Sequence, residues 1–450
     1  MSEIRSAIIK VNTLLDNAKL NRFFVGVFII CLICQMIDGY DMNIFGVIIP
    51  SLMADLDFTP VQTGAVASYA MWGMILGSLF FSVIADRIGT RKAIIIGVVV
   101  FTILNGFLGF ATEQYQFLII RVIAGFFMAG IFPCLVAMVT EYSPVSTRGL
   151  FSTFVNAGVP VGSMTAAVLG VYLIPAHGWQ IIFFLSFPMV ILAGFVAIFV
   201  PESMKVLIKK GDKERIGKIL HKAEPSFQPK ADDEYELTQS KGEKGSITSL
   251  FGKDFRRNTI LFWITLFMNM FTIFGISTWL PKIMMEAGYP MGQGLWLLFT
   301  LQLGAIVGNL TAGWSAKRFG YKNIFKVFFI LTAVFIACLG FFSANTVLMT
   351  IGVFIVGAGV NGCQGIVVSF ISQCHPLNFR TTAVGWSLAA GRFGMALAPI
   401  YGGLLISANV SITTNFLAFA IAPIIALIAI SLTKDNMKYS REAVPQEDNK

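Results

Sequence analysis

Charge is what this chain has least of. Asp, Glu, Lys and Arg make up 13% of its 450 residues, against about 25% in an ordinary soluble protein. With 56% hydrophobic residues and a mean hydropathy of +0.76, the composition is that of a polytopic membrane protein. The formal net charge is +9, but the cations collect in short segments between apolar runs rather than on one face, so no nucleic-acid partner is expected. Histidine is scarce. His177 falls in an outer loop, His221 in a polar middle segment and His375 at the end of an apolar run, and none is placed for a proton relay. The six cysteines all lie in or beside apolar runs and form no disulfide framework. Cys31-x-x-Cys34 has redox or metal spacing, but within an apolar helix it reads as a pair of small packing residues. A phosphate-binding loop, a metal-spaced cluster and a Ser–His–Asp arrangement are all missing, so no enzyme activity and no cofactor is expected. Residues 1–22 are polar and the first apolar run is too long for a signal-peptide core, so an uncleaved signal anchor is expected.

What is present is a succession of apolar runs. Six fall near 23–49, 62–84, 93–111, 116–140, 150–174 and 179–200, and six more near 258–281, 292–315, 324–342, 347–373, 381–405 and 410–432. Each is long enough to cross about 30 Å of hydrocarbon. The division expected is an N-terminal segment 1–22, a six-helix half 23–200, a linker 201–257, a second six-helix half 258–432 and a tail 433–450. Lys and Arg gather in the alternate loops that hold Arg87, Arg91, Lys92, Arg148, Lys317, Arg318 and Arg380, which places both termini in the cytoplasm. In the linker, Val206, Leu207, Ile208, Ile216, Ile219 and Leu220 among lysines predict an amphipathic helix at the membrane surface. Asp232-Asp233-Glu234 reads as a solvated connector.

The first apolar run contains Asp38-Gly39-Tyr40-Asp41. An ionised Asp in mid-membrane costs roughly 2.5–3.5 kcal/mol. Two carboxylates three residues apart share a helical face, and desolvation and repulsion both favour their neutral forms. The pair is therefore a natural proton carrier; the alternative is a polar pair that binds helices or caps a fragment. Gly39 weakens the helix and permits a local break.

A repeat relates the halves. Ser82-x-x-x-Asp86-Arg87-x-Gly89-x-Arg91 recurs 231 residues on as Gly313-x-x-x-Lys317-Arg318-x-Gly320-x-Lys322, and Pro144-x-x-x-Arg148 recurs as Pro376-x-x-x-Arg380 at an offset of 232. With these motifs, with Arg121-x-x-x-Gly125, with Glu141…Pro144…Arg148 and with Pro201-Glu202-Ser203, the chain resembles the major facilitator superfamily. Ser82 stands where that signature usually has Gly. Asp38-Gly39-Tyr40-Asp41 and Gly391-Arg392-Phe393-Gly394…Pro399…Gly402-Gly403 resemble the aromatic acid:proton symporters within it.

The resemblance implies an all-α membrane protein of twelve transmembrane helices in two six-helix halves. It implies proton-driven uptake of a benzoate-type or hydroxybenzoate-type anion across a bacterial inner membrane, by a monomer whose partners are the small organic anion, protons and the lipid bilayer. Asp38 and Asp41 are the expected proton carriers. Arg121 serves either proton coupling or structure. Arg392 either contacts the substrate carboxylate or balances an Asp of span one. Asn269, Asn361 and Gln364 are expected to orient a ring substituent, and Tyr40, Phe271 or Trp279 to stack on the ring. Asp86, Arg87, Arg91 and Lys92, with Glu141, Arg148 and Arg380, are expected to form a cytoplasmic conformational latch. Gly158, Pro160, Gly162 and Pro399 read as helix irregularities. Rival readings are a transporter or exporter of another small organic acid, and a ligand sensor that moves nothing.

Overall fold

The computed structural model describes residues 8–230, 232–237, 247–342, 345–376 and 379–434, without the side chains of Ser82, Val83, Asp86 and Ile247. Among the described residues, twelve helices are long and apolar enough to cross a membrane. Spans one to six are Arg22–Leu56, Pro60–Ile88, Thr90–Phe107, Gln114–Glu141, Val145–His177 and Gln180–Phe199; spans seven to twelve are Arg256–Glu286, Met291–Phe319, Tyr321–Leu339, Thr346–Gln373, Arg380–Ser407 and Ile412–Leu432. A helix satisfies its own backbone groups, which hydrocarbon cannot do for it. Large apolar side chains such as Leu79, Ile198, Leu310 and Ile428 accordingly face outward. An even number of spans places the first and last described residues on one side, here called the linker side.

Span one runs unbroken through Gly39 and on through Pro50 to Leu56, past the expected end of the run. Gly39 is not a break but a point of close approach: a Cβ there would strike the Val159 backbone of span five. Reciprocally, a Cβ at Gly162 would strike the Met36 carbonyl and the Tyr40 amide. Span five is also one continuous helix through Pro160, and its Gly158 and Gly162 lie against span one. The repeat is visible as geometry too. Gly89 and Gly320 have φ of +104° and +84°, where a side chain is strained, and each turns the chain between the second and third spans of its half.

The chain packs as two compact units. One holds the described residues up to Met42, Gly73–Gly162 and Gln180 onward into the linker; the other holds Asn43–Trp72, Ser163–Trp179 and the described residues from 247. In the second unit, parts of spans one, two and five that lie away from the linker pack with spans seven to twelve. Asn43 of span one donates to Ser163 Oγ of span five at 2.6 Å and accepts from Gln302 Nε2 of span eight at 3.2 Å.

In the first unit the linker's apolar side chains pack on protein. Strand β1 (Ile8–Lys10) pairs in parallel with strand β2 (Glu234–Glu236), and Asp233 is buried, accepting from the Lys230 amide at 2.8 Å. The apolar face of linker helix Lys213–Ala223 (Ile216, Leu220, Ala223) packs with Val11 and Leu15 of helix Val11–Asn17 in one core. The amphipathic pattern was real, but its apolar partner is protein, a choice that periodicity does not encode. Asn21 joins the parts: its amide donates to the carbonyls of Lys222 and Ala223, while its Oδ1 accepts from the amides of Phe23 and Phe24 at the start of span one.

Gly162→Ala is expected to destabilise the protein by roughly 1–3 kcal/mol through overpacking, read as a lowered melting temperature in detergent. Gly26→Ala, where a Cβ meets nothing within 4 Å, is expected to melt like the parent. Equal melting of the two variants would refute the close-approach account.

Candidate functional site

Three helices of the first unit bring together a buried polar triad. Asp41 of span one is 1% exposed and Arg121 of span four likewise 1%. Arg121 Nη1 lies 2.6 Å from Asp41 Oδ1, and Asn105 of span three donates its Nδ2 to the same oxygen at 2.7 Å. Asn105 Oδ1 in turn accepts from Arg121 Nη1 at 3.4 Å. A carboxylate only accepts and a guanidinium only donates, so these two partners fix the amide's orientation. Neither charge is left alone in an apolar interior, where each by itself would cost several kcal/mol.

Asp38 is also buried, and accepts from Gln35 Nε2 one turn back at 2.9 Å. The two carboxylates of span one thus have different surroundings. Tyr40 between them is buried and donates its hydroxyl to the Ile182 carbonyl of span six at 2.6 Å.

In the second unit, Asn269 of span seven donates to Gln364 Oε1 of span ten at 3.1 Å, while Asn361 bonds the Gly357 carbonyl of its own helix. Arg392 is half-buried on span eleven. Trp279 is buried and donates to the Pro399 carbonyl at 2.8 Å; Phe271 packs on Tyr401 and Phe419.

The expected latch residues are placed at the linker side, mostly against backbone. Arg91 donates its side chain to the Ala197 carbonyl and its amide to Glu202 Oε1 at 3.0 Å. Glu141 accepts from the Ser203 hydroxyl and from the Met204 amide at 2.6 Å, capping linker helix Met204–Lys210. Arg148 pairs with Asp16 of the N-terminal segment. Arg87 and Lys92 are exposed, Arg380 is half-buried at the start of span eleven, and the Asp86 side chain lies outside the described residues.

Sequence reasoning did not find Asn105, Gln35, Asn43 or Gln302. The available signal was a neutral amide inside an apolar run, which needs a partner there just as a charge does.

Removing Arg121 strands the Asp41 carboxylate, so Arg121→Ala is expected to cost about 3–5 kcal/mol. Adding Asp41→Asn to that variant is expected to recover most of the loss in the same melting assay. No recovery in the double variant would refute the pairing.

The family model described as Major Facilitator Superfamily matches residues 31–301 and 292–449. The chain is 32% identical over 444 residues to the benzoate transport protein of Acinetobacter baylyi, covering 97% of this chain and 95% of that one. It is 28% identical to the gentisate transporter of Corynebacterium glutamicum, over 88% and 84% of the two chains. It is 27% identical to the gallate transporter of Pseudomonas putida, over 94% and 95%. Among solved structures, the inward-open xylose transporter XylE from E. coli matches with a TM-score of 0.73 over 93% of this chain and 99% of that one. At 16% identity that is a likeness of fold alone.

Proposed function

This chain belongs to the major facilitator superfamily and is a multi-pass membrane transporter rather than an enzyme, and from that premise we propose that it couples inward proton flow to uptake of an aromatic monocarboxylate. The cargo proposed is of the benzoate or hydroxybenzoate class. Support for the cargo comes from the relatives named as benzoate, gentisate and gallate transporters, whose substrates share a carboxylate on a ring. Proton coupling is carried by one observation: a carboxylate and a guanidinium are paired, dehydrated and held by a third polar side chain in the middle of an apolar bundle. A structural tie between helices needs no ionisable group, whereas a proton carrier needs one.

In the mechanism proposed, a proton binds Asp41 and removes the charge that Arg121 neutralises. The Arg121 contact weakens, and the balance between the outward-facing and inward-facing states shifts by the difference. Asp38, with its own amide partner, is the second proton-binding candidate. Arg392 receives the substrate carboxylate, since its planar fork of donors matches a carboxylate in two parallel hydrogen bonds. Asn269, Gln364 and Asn361 supply hydrogen bonds to ring substituents. The protein is proposed to sit in a bacterial inner membrane as a monomer with both ends in the cytoplasm. The linker-side contacts of Arg91 and Glu141 would hold the linker, and that of Arg148 the N-terminal segment, to the N-terminal half during the cycle.

Cells expressing the protein are expected to take up labelled benzoate faster than control cells, and an uncoupler is expected to remove the difference. Asp41→Asn is expected to lower the initial rate of uptake at least tenfold while benzoate counterflow persists. Full gradient-driven uptake by that variant would remove Asp41 from the coupling. Arg392→Lys, which keeps the charge and loses the fork, is expected to raise KM about tenfold, in line with one lost charged hydrogen bond; an unchanged KM would remove Arg392 from the binding site.

A further inference from the structure

The proposed coupling leaves a buried histidine unused. His375, 1% exposed, follows span ten, and its ring lies in a pocket of aromatic side chains. Phe255, just before span seven, stacks on it at 5.8 Å between centroids; Phe379, just before span eleven, meets it edge-on at 6.0 Å; Phe262 of span seven lies at 6.1 Å. Nδ1 is 2.8 Å from the Ile371 carbonyl. A carbonyl only accepts, so Nδ1 carries the hydrogen and Nε2 is the bare nitrogen. Nε2 is buried and meets no hydrogen-bonding group among the described residues.

The neutral ring fits this pocket and the cation does not. Protonation would turn Nε2 into a buried N–H with no acceptor among the described residues, which a folded interior penalises. Burial holds the imidazole below its ordinary value near 6.5, and the positive charge of Arg380 at the start of span eleven adds to that, opposed by the Ile371 hydrogen bond. The face of Phe255 favours a cation, but only weakly. Asp254, Arg256 and Arg257, which flank Phe255, are exposed to solvent. Tyr321 stacks on Phe370, which meets Phe262 edge-on.

The repeat sharpens the point. At the offset of 232, His375 corresponds to Ser143, Ile371 to Val139 and Arg380 to Arg148. Ser143 makes the same backward contact, from its hydroxyl to the Val139 carbonyl at 2.5 Å. One half therefore fills this joint with a side chain that does not titrate, and the other half with one that does.

We propose that His375 is a sensor of cytoplasmic pH: its protonation loosens the joint between spans seven, ten and eleven and slows transport. The sidedness rests on the orientation proposed above. Because the ring titrates below its ordinary value, the joint is fully packed above about pH 6.5 and is lost as pH falls through the lowered value. Spans seven and eleven carry Asn269 and Arg392, so a loosened joint bears on the substrate groups. Import of an acid with protons acidifies the compartment it enters, and such a joint would limit that import.

The test uses benzoate counterflow in right-side-out membrane vesicles, with external pH held at 7.5 and internal pH stepped from 7.5 to 5.0. The parent protein is expected to lose at least fivefold of its exchange rate, with the fall below pH 6.5. His375→Gln, which keeps a donor for the Ile371 carbonyl, is expected to retain at least half. Parallel loss in both proteins would overturn the proposal. So would a loss that appears only on acidifying the outer face and is relieved by His375→Gln. A second readout is independent of the cargo. The chain has three histidines, so the His375 resonances of imidazole-labelled protein in lipid nanodiscs can be assigned by difference. Their midpoint is expected below the ordinary imidazole value near 6.5, with faster amide exchange around Phe255 and Phe379 once protonated. A midpoint at or above that value would overturn the sensor even if benzoate proved not to be the cargo.

Discussion

A charge cannot be left unpaired in the apolar interior of a helix bundle, and the arrangement of spans one, three and four follows from that. Asp41 and Arg121 come from helices 80 residues apart in sequence, and Asn105 completes the set. Each would be expensive alone; together they form a closed hydrogen-bonded unit whose members specify one another's position. In the coupling proposed, one proton on Asp41 removes the charge that Arg121 neutralises. Structure and proposed coupling thus draw on one interaction.

Close helix contact is the second requirement. Lipid offers no hydrophobic reward for bringing helices together, so approach depends on packing and small residues. Gly39 and Gly162 supply it between spans one and five, and the contact lies between and beside the two carboxylates of span one. The glycine that looked like a possible break is a point of close approach. On the linker side, the N-terminal segment and the linker fold onto each other through β1, β2 and the Asn21 contacts, so this part of the chain is built as a unit of structure rather than as a tether.

Much of this was legible in the residues. Twelve apolar runs became twelve spans because length and composition alone decide that a segment crosses a membrane, and the repeated glycines Gly89 and Gly320 turned the chain at equivalent places. Asp38, Asp41, Arg121 and Arg392 stood out as charges where charges are costly. Their partners did not. Whether Arg121 or Arg392 faces an Asp of span one depends on how helices rotate and cross, which a run of apolar residues does not specify. The linker shows the same limit: Ile216 and Leu220 announce an apolar face, and only the folded chain says that Val11 and Leu15 cover it. Asn105 escaped notice because a neutral amide is common, and its importance comes from the two charges it touches.

The central claim is that proton and aromatic acid cross together through Asp41. Its most direct test loads proteoliposomes with a pH-sensitive dye and adds labelled benzoate outside at pH 8, where the membrane-permeant neutral acid is scarce. The account predicts internal acidification in step with benzoate influx for the parent protein. For Asp41→Asn it predicts acidification no faster than in protein-free liposomes. Benzoate influx through the parent without acidification, or acidification by the variant at the parent's rate, would contradict it.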